Sequence, residues 1–216
     1  MNTLSNIRIL LADDHTMVRE SLARVLESSG AITVVGETGD SQQMLEMVGR
    51  LKPDMVILDY SMPNHDPASQ ISELLRIYSR LKILVLTVHQ NIQYAVRVLE
   101  HGAHGYLIKS AAVEELVDAI KSICAGSIYL SAELQQEVLL HMRRPRSERL
   151  GLDALSPREF DFLRLFAGGK SLQQCARSMD ISISTASTYR ARILDKLNLK
   201  TNSELIRFAL EHDIVQ

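Results

Sequence analysis

Five short apolar runs alternate with five segments striped at helical spacing through the first part of the chain, and few folds accommodate that order. The runs are Ile7 to Ala12, Ile32 to Gly36, Met55 to Leu58, Lys82 to Thr87 and Gly105 to Ile108. The stripes are carried by Val18, Leu22, Val25 and Leu26; by Met44, Leu45, Met47, Val48 and Leu51; by Ile71, Leu74, Leu75 and Ile77; by Ile92, Ala95, Val96, Val98 and Leu99; and by Val113, Leu116, Val117, Ile120 and Ile123. Strand and helix in alternation require parallel strands joined by right-handed crossovers, so an α/β, five-stranded doubly wound parallel sheet is predicted. Met55 to Leu58 is continuously apolar rather than alternating, which suits a strand covered on both faces.

In such a sheet, ligands bind beyond the carboxyl ends of the strands. Asp13 and Asp14 follow the first run, Asp59 ends the third, Thr87 the fourth and Lys109 the fifth. Taken singly, Asp59 reads as a helix cap and Lys109 as a solvated loop lysine. Taken together, these residues converge on one edge. Three adjacent carboxylates repel unless a hard cation neutralises them, and an all-oxygen set without His or Cys favours Mg²⁺ over Zn²⁺. With charge drawn off by the metal and by Lys109, Asp59 is placed to attack a phosphoryl group, and Thr87 offers its hydroxyl to the phosphoryl oxygens.

The 216 residues suit two domains, and no apolar run approaches the ~20 residues that cross a bilayer. The polar start at Met1 to Asn6 runs into a strand that stops at Asp13, which is too short and acidic for a signal peptide, so a cytoplasmic protein is expected. Cys124 and Cys175 have no CxxC spacing and read as buried thiols. Residues 1 to 130 hold 11 Lys+Arg against 15 Asp+Glu, a net of −4, whereas residues 131 to 216 hold 13 against 11, a net of +2. Any polyanionic partner belongs to the second part.

That second part is helical. Ser131 is expected to cap a short helix carrying Leu134, Val138 and Leu139, and Arg143 to Arg149 reads as an exposed linker whose arginines are either solvated or in contact with phosphates. Ser156-Pro-Arg-Glu159 is a capping box with proline at the first helical position. Ser171 with Gln174, Ser182, and Thr201 with Glu204 open three more helices. A short turn at Asp180 and Ile181 joins the second and third, which makes a four-helix helix-turn-helix domain. On the third helix Ile183, Ala186, Ile193, Leu194 and Leu197 form the predicted apolar side. Ser184, Thr185, Ser187, Thr188, Ala191, Arg192 and Lys196 lie opposite, a set of small and cationic residues suited to the major groove of double-stranded DNA. An ordinary amphipathic helix with a solvated polar face fits that pattern equally well.

Leu10-Leu-Ala-Asp-Asp-His15, Ile57-Leu-Asp-Tyr-Ser-Met-Pro63, Val85-Leu-Thr-Val88 and Gly102-Ala-His-Gly-Tyr-Leu-Ile-Lys109 resemble the four signature segments of a two-component receiver domain of the CheY-like type. Leu155-Ser-Pro-Arg-Glu159 and Ser182-Ile-Ser-Thr-Ala-Ser-Thr-Tyr-Arg-Ala-Arg-Ile-Leu-Asp-Lys-Leu197 resemble the LuxR-type DNA-binding domain. Together they resemble a NarL/FixJ-family response regulator, and Thr87-Val-His89 with Tyr189-Arg190 resembles its GacA/UvrY branch. The resemblance implies a receiver over residues 1–128, a linker with a short helix over 129–152 and the DNA-binding domain over 153–216. It implies that Asp59 accepts phosphate from a sensor histidine kinase, and that Asp13, Asp14, Asp59 and the Ser61 carbonyl hold Mg²⁺. It further implies that Thr87 and Tyr106 report phosphorylation, and that the phosphorylated chain is a homodimer on promoter DNA. Thr185 and Lys196 match phosphate-contacting positions, and Ser187, Thr188 and Ala191 base-facing ones. The chain departs from the family pattern at Pro67, where glycine is usual, at Ser110, where proline is common, and at Gln174, Ala186 and Tyr189; His89 sits where dephosphorylation is tuned. Such a chain catalyses only its own phosphotransfer and dephosphorylation. Two other readings stay open: a non-cycling receiver that binds DNA whether or not it is phosphorylated, and an aspartate-nucleophile Mg²⁺-dependent phosphatase, which lacks a second acid directly after Asp59.

Overall fold

The structure is a computed structural model that describes residues 6–62, 67–88, 92–111, 113–143, 151–212 and 214–215. The chain divides into two compact units, Met1–Val138 and Leu139–Gln216. The Asn64 to Asp66 part of the loop after Met62, His89, and Arg144 to Arg149 of the expected linker lie outside the described residues.

The first unit runs β1 (Ile7–Ala12), α1 (Thr16–Ser28), β2 (Ile32–Thr38), α2 (Ser41–Leu51), β3 (Met55–Asp59), α3 (Pro67–Ile77), β4 (Lys82–Thr87), α4 (Ile92–Glu100), β5 (Gly105–Ile108), α5 (Val113–Cys124) and β6 (Tyr129–Leu130). All strand pairs are parallel, in the order β2-β1-β3-β4-β5-β6. The five expected strands are present, and a sixth of two residues is added from the segment assigned to the linker. Tyr129 pairs with Gly105 and Leu130 with Tyr106. That strand is too short to leave a periodic signal.

Alternate strand residues face opposite layers. Ile9, Leu11, Met55, Ile57, Leu84, Leu86 and Leu107 pack with Ala23 and Leu26 of α1 and with Leu116, Ala119, Ile120 and Ile123 of α5. Leu10, Val56, Leu58 and Val85 face the other way, where α2, α3 and α4 bury Met44, Val48, Ile71, Leu74, Ala95 and Val98. Gly105 is needed where β5 comes close to its neighbours, because a Cβ there would lie 2.7 Å from Ile123 and 2.9 Å from Leu84. On α4 the buried face differs from the predicted stripe. Gln93, Tyr94 and Arg97 are buried with Ala95 and Val98, whereas Ile92, Val96 and Leu99 are half-buried.

Helix α6 (Ala132–Arg143) follows β6 and buries Leu134 and Val138. Ser131 precedes it, but its buried hydroxyl makes no capping hydrogen bond among the described residues. The second unit contains α7 (Pro157–Ala167), α8 (Leu172–Ser178), α9 (Ile183–Lys196) and α10 (Asn202–Glu211). Each starts at the expected cap: Ser156, Ser171 and Thr201 form full capping boxes, and the Ser182 hydroxyl accepts from the Thr185 amide. Helix α7 buries Phe160, Phe162 and Leu163, while Leu165 and Phe166 are only half-buried. Helix α9 crosses α7 and α8 and buries Ala186 and Ile193 against them. Ile183 is 51% exposed rather than part of that apolar side, because it occupies the first helical position.

Candidate functional site

Backbone hydrogen bonds beyond the strand ends gather the acidic edge. The Asp13 amide donates to the Thr38 carbonyl at 3.0 Å, the Tyr60 amide to Leu86 at 2.8 Å and the Lys109 amide to Thr87 at 2.6 Å. These bonds tie β1 to β2, and β3, β4 and β5 to one another, where the polar residues emerge. The Lys109 ammonium lies 2.8 Å from Asp13 Oδ2 and 2.9 Å from Asp59 Oδ2, bridging two carboxylates that are almost fully buried. Asp59 Oδ1 accepts from the Ser61 amide at 3.2 Å, and Asp13 Oδ1 from the His15 amide at 2.8 Å. Asp13, Asp14 and Asp59 each bring a carboxylate oxygen, and His15 a ring nitrogen, within 4.8 Å of one another.

His15 was not expected in this set. Its Nδ1 is 2.9 Å from Asp14 Oδ1 and 3.4 Å from Asp13 Oδ1. The donor group thus includes a histidine nitrogen, unlike the all-oxygen set expected from the residues at the strand ends, and the only signal in the sequence is His15's place next to Asp14.

Burial raises the Asp59 carboxyl above its ordinary value, and the Lys109 hydrogen bond and charge offset only part of that effect. Burial disfavours the Lys109 ammonium too, but hydrogen bonds and charge from Asp13 and Asp59 outweigh it, so the ammonium is held above its usual value. The arrangement is a cation wedged between two desolvated acids. One of them, Asp59, is destabilised as an anion by its burial.

Thr87 is fully buried at the end of β4, and Tyr106 is fully buried on β5. The two share a side-chain hydrogen bond, and burial pushes the Tyr106 hydroxyl well above its ordinary pKa. Strand alternation puts Tyr60, Thr87 and Tyr106 on the α4 side of the sheet. Pro67 is buried in the first turn of α3, where its fixed φ is compatible with the helix.

In the second unit, Ser184, Thr188, Ala191 and Arg192 of α9 are exposed, and Thr185 and Ser187 are half-buried. The Thr188 hydroxyl donates to the Ser184 carbonyl at 3.0 Å, and the Thr185 hydroxyl lies 2.8 Å from that of Ser182. Lys196 is engaged: its ammonium is 2.6 Å from Oε2 of the buried Glu159, which also accepts from the Ser156 amide at 2.7 Å. Burial pushes the Glu159 carboxyl up, but the bonds from Lys196 and Ser156 prevail and hold it below the ordinary value. The capping box of α7 thus also anchors the end of α9.

Residues 9–121 match the family described as response regulator receiver domain, and residues 153–209 the family described as bacterial regulatory proteins, luxR family. The response regulator GacA of Pseudomonas viridiflava is 32% identical over 209 residues, covering 97% of this chain and 98% of that protein. The response regulator UvrY of Escherichia coli K12 is 31% identical over 208 residues, covering 96% and 95%. Among solved structures, RcsB from Salmonella enterica serovar Typhimurium, bound to promoter rprA in the presence of the phosphomimetic BeF₃⁻, superposes with a TM-score of 0.77 at 27% identity, covering 94% of this chain and 98% of that one. A structure of two RcsB dimers bound to two parallel DNAs superposes with a TM-score of 0.62 at 26% identity, covering 96% and 99%.

Proposed function

The chain belongs to the NarL/FixJ family of response regulators, a receiver followed by a LuxR-type helix-turn-helix, and from that premise we propose that Asp59 is the phosphoacceptor through which a sensor histidine kinase controls DNA binding. The observation that carries this reading is the Lys109 ammonium within 2.9 Å of Asp59 and 2.8 Å of Asp13. The donors fit a hard divalent cation: three carboxylates meet at one point, two of them almost fully buried, and the single Lys109 ammonium balances only one of the three charges. Asp13, Asp14 and Asp59 would hold it, with the Ser61 carbonyl, and Mg²⁺ would supply positive charge that offsets that of an incoming phosphoryl group.

The residues divide the work. A carboxylate oxygen of Asp59 forms a bond to phosphorus as the bond from phosphorus to the kinase's histidine nitrogen breaks. Lys109 counters the charge on the phosphoryl oxygens, and the Thr87 hydroxyl turns to donate to one of them. Tyr106 follows Thr87 and alters the face made by α4 and β5. Chemistry at Asp59 is confined to the chain's own phosphotransfer and dephosphorylation, in the cytoplasm.

The output is a phosphorylated homodimer on promoter DNA. Ser184, Thr185, Ser187, Thr188, Ala191 and Arg192 face the major groove and its phosphates, and Lys196 reaches a phosphate on leaving Glu159. Incubating the full chain with acetyl phosphate and Mg²⁺, and separating modified from unmodified chain by electrophoresis, tests the assignment. Asp59→Asn is expected to abolish the modified band and its stimulation of DNA binding; a modified band that persists in this variant refutes it.

A further inference from the structure

We infer that Arg97 is a positioning residue of the switch: its buried guanidinium, held by the Tyr60 hydroxyl, ties α4 to the residue that directly follows Asp59. This rests on the reading of Asp59 as phosphoacceptor.

Arg97 is 1% exposed, among the most deeply buried side chains of the chain, and one of its terminal nitrogens donates to the Tyr60 hydroxyl at 3.1 Å. Tyr94, one helical turn earlier, lies edge-on to the Tyr60 ring with centroids 4.7 Å apart. The Tyr60 amide is fixed to the Leu86 carbonyl, so its ring projects from a backbone already locked into the sheet. Tyr106 and Thr87 stand on the same side of the sheet. A guanidinium and three phenols therefore fill the space between α4 and the ends of β3, β4 and β5.

A desolvated guanidinium persists only where hydrogen bonds hold it, so it makes the seat of α4 discrete. Moving the helix withdraws Arg97 from Tyr60. Conversely, a shift in the backbone next to Asp59 displaces an acceptor of the Arg97 guanidinium. The helix is thus held in one defined position, which a population switch must leave by breaking the Arg97 to Tyr60 bond. An arginine that merely filled space would tie the helix to the sheet without linking it to the state of Asp59.

Hydrogen exchange of the full chain, with and without beryllofluoride and Mg²⁺, separates the two roles. In the unsubstituted protein, beryllofluoride is expected to slow exchange both in Met55 to Met62 and in α4. Arg97→Met is expected to keep the first response and reduce the second by about tenfold, equivalent to ~1.4 kcal/mol. General destabilisation would not dissociate the two segments. Should Arg97→Met fail to fold, Tyr60→Phe, which removes one oxygen, decides: loss of the α4 response supports the inference, and a response like that of the unsubstituted protein overturns it. No protection of Met55 to Met62 in the unsubstituted protein would instead refute the phosphoacceptor reading, and this inference with it.

Discussion

Lys109→Met removes the cation between Asp13 and Asp59 while keeping much of the side-chain volume. The ammonium makes contacts of 2.8 and 2.9 Å, its side chain is 16% exposed, and the carboxylate side chains are 5% and 1% exposed. Removing one partner of a buried ion pair is worth roughly 3–5 kcal/mol. Asp14 borders water, with its side chain 33% exposed, so solvent relaxes part of the loss and about 3 kcal/mol is expected. Urea unfolding followed by tyrosine fluorescence isolates the first unit, because five of the six tyrosines precede residue 139 and the chain has no tryptophan. Mg²⁺ at ten times its Kd should return ~1.4 kcal/mol to the variant. Adding Asp59→Asn should shrink the deficit to about 1 kcal/mol, since one of the two carboxylates that the ammonium bridges is then gone. The deficit should also narrow with acid: the folded-state pKa of Asp59 is raised, so the fold takes up a proton before the unfolded chain does, and the repulsion disappears as the pH falls toward 3.8. A deficit under ~1 kcal/mol, or one that Asp59→Asn leaves unchanged, refutes the wedged-cation account.

Two further outcomes concern the second unit. Glu159→Gln keeps an acceptor for the Ser156 amide but loses the ion pair with half-exposed Lys196, so amide exchange in α7 and α9 should report about 1 kcal/mol of lost stability near neutral pH. The folded-state pKa of Glu159 is depressed, so its contribution is present above the ordinary 4.5 and is lost as the pH falls through the folded value; the gap between variant and unsubstituted chain should close there. Arg192→Ala should weaken binding to duplex DNA of any sequence and reduce the slope of log affinity against log salt by about 0.9, the release expected for one phosphate contact; an unchanged slope places Arg192 away from the backbone.

Alternation made the sheet legible in the sequence, and the sheet then delivered the site, because strand ends are where an α/β fold presents polar groups. Asp13, Asp14, Asp59 and Lys109 meet although they are far apart along the chain. Contacts that break a local rule were not legible. Arg97 is a cation in an amphipathic helix, and periodicity assigns such residues to water; its burial follows from the neighbouring Tyr60, 37 residues earlier in the chain, which no window of sequence displays. The same limit hid the bond from Lys196 to Glu159, which joins the end of one helix to the cap of another. Ile183 departs in the other direction: the helical repeat reaches back to the first residue of α9, but that residue is exposed.

The two-residue strand β6 bears on how copies of this protein meet. It closes off Gly105 and Tyr106 on one margin of the sheet and offers a ladder only two residues long to anything approaching from outside. A guest strand needs a longer run of free amides and carbonyls, so strand-to-strand accretion, the usual route from parallel sheet to insoluble aggregate, finds little purchase on that side. Self-association there falls to side chains on helices, whose complementarity can be changed residue by residue and whose contacts can be undone.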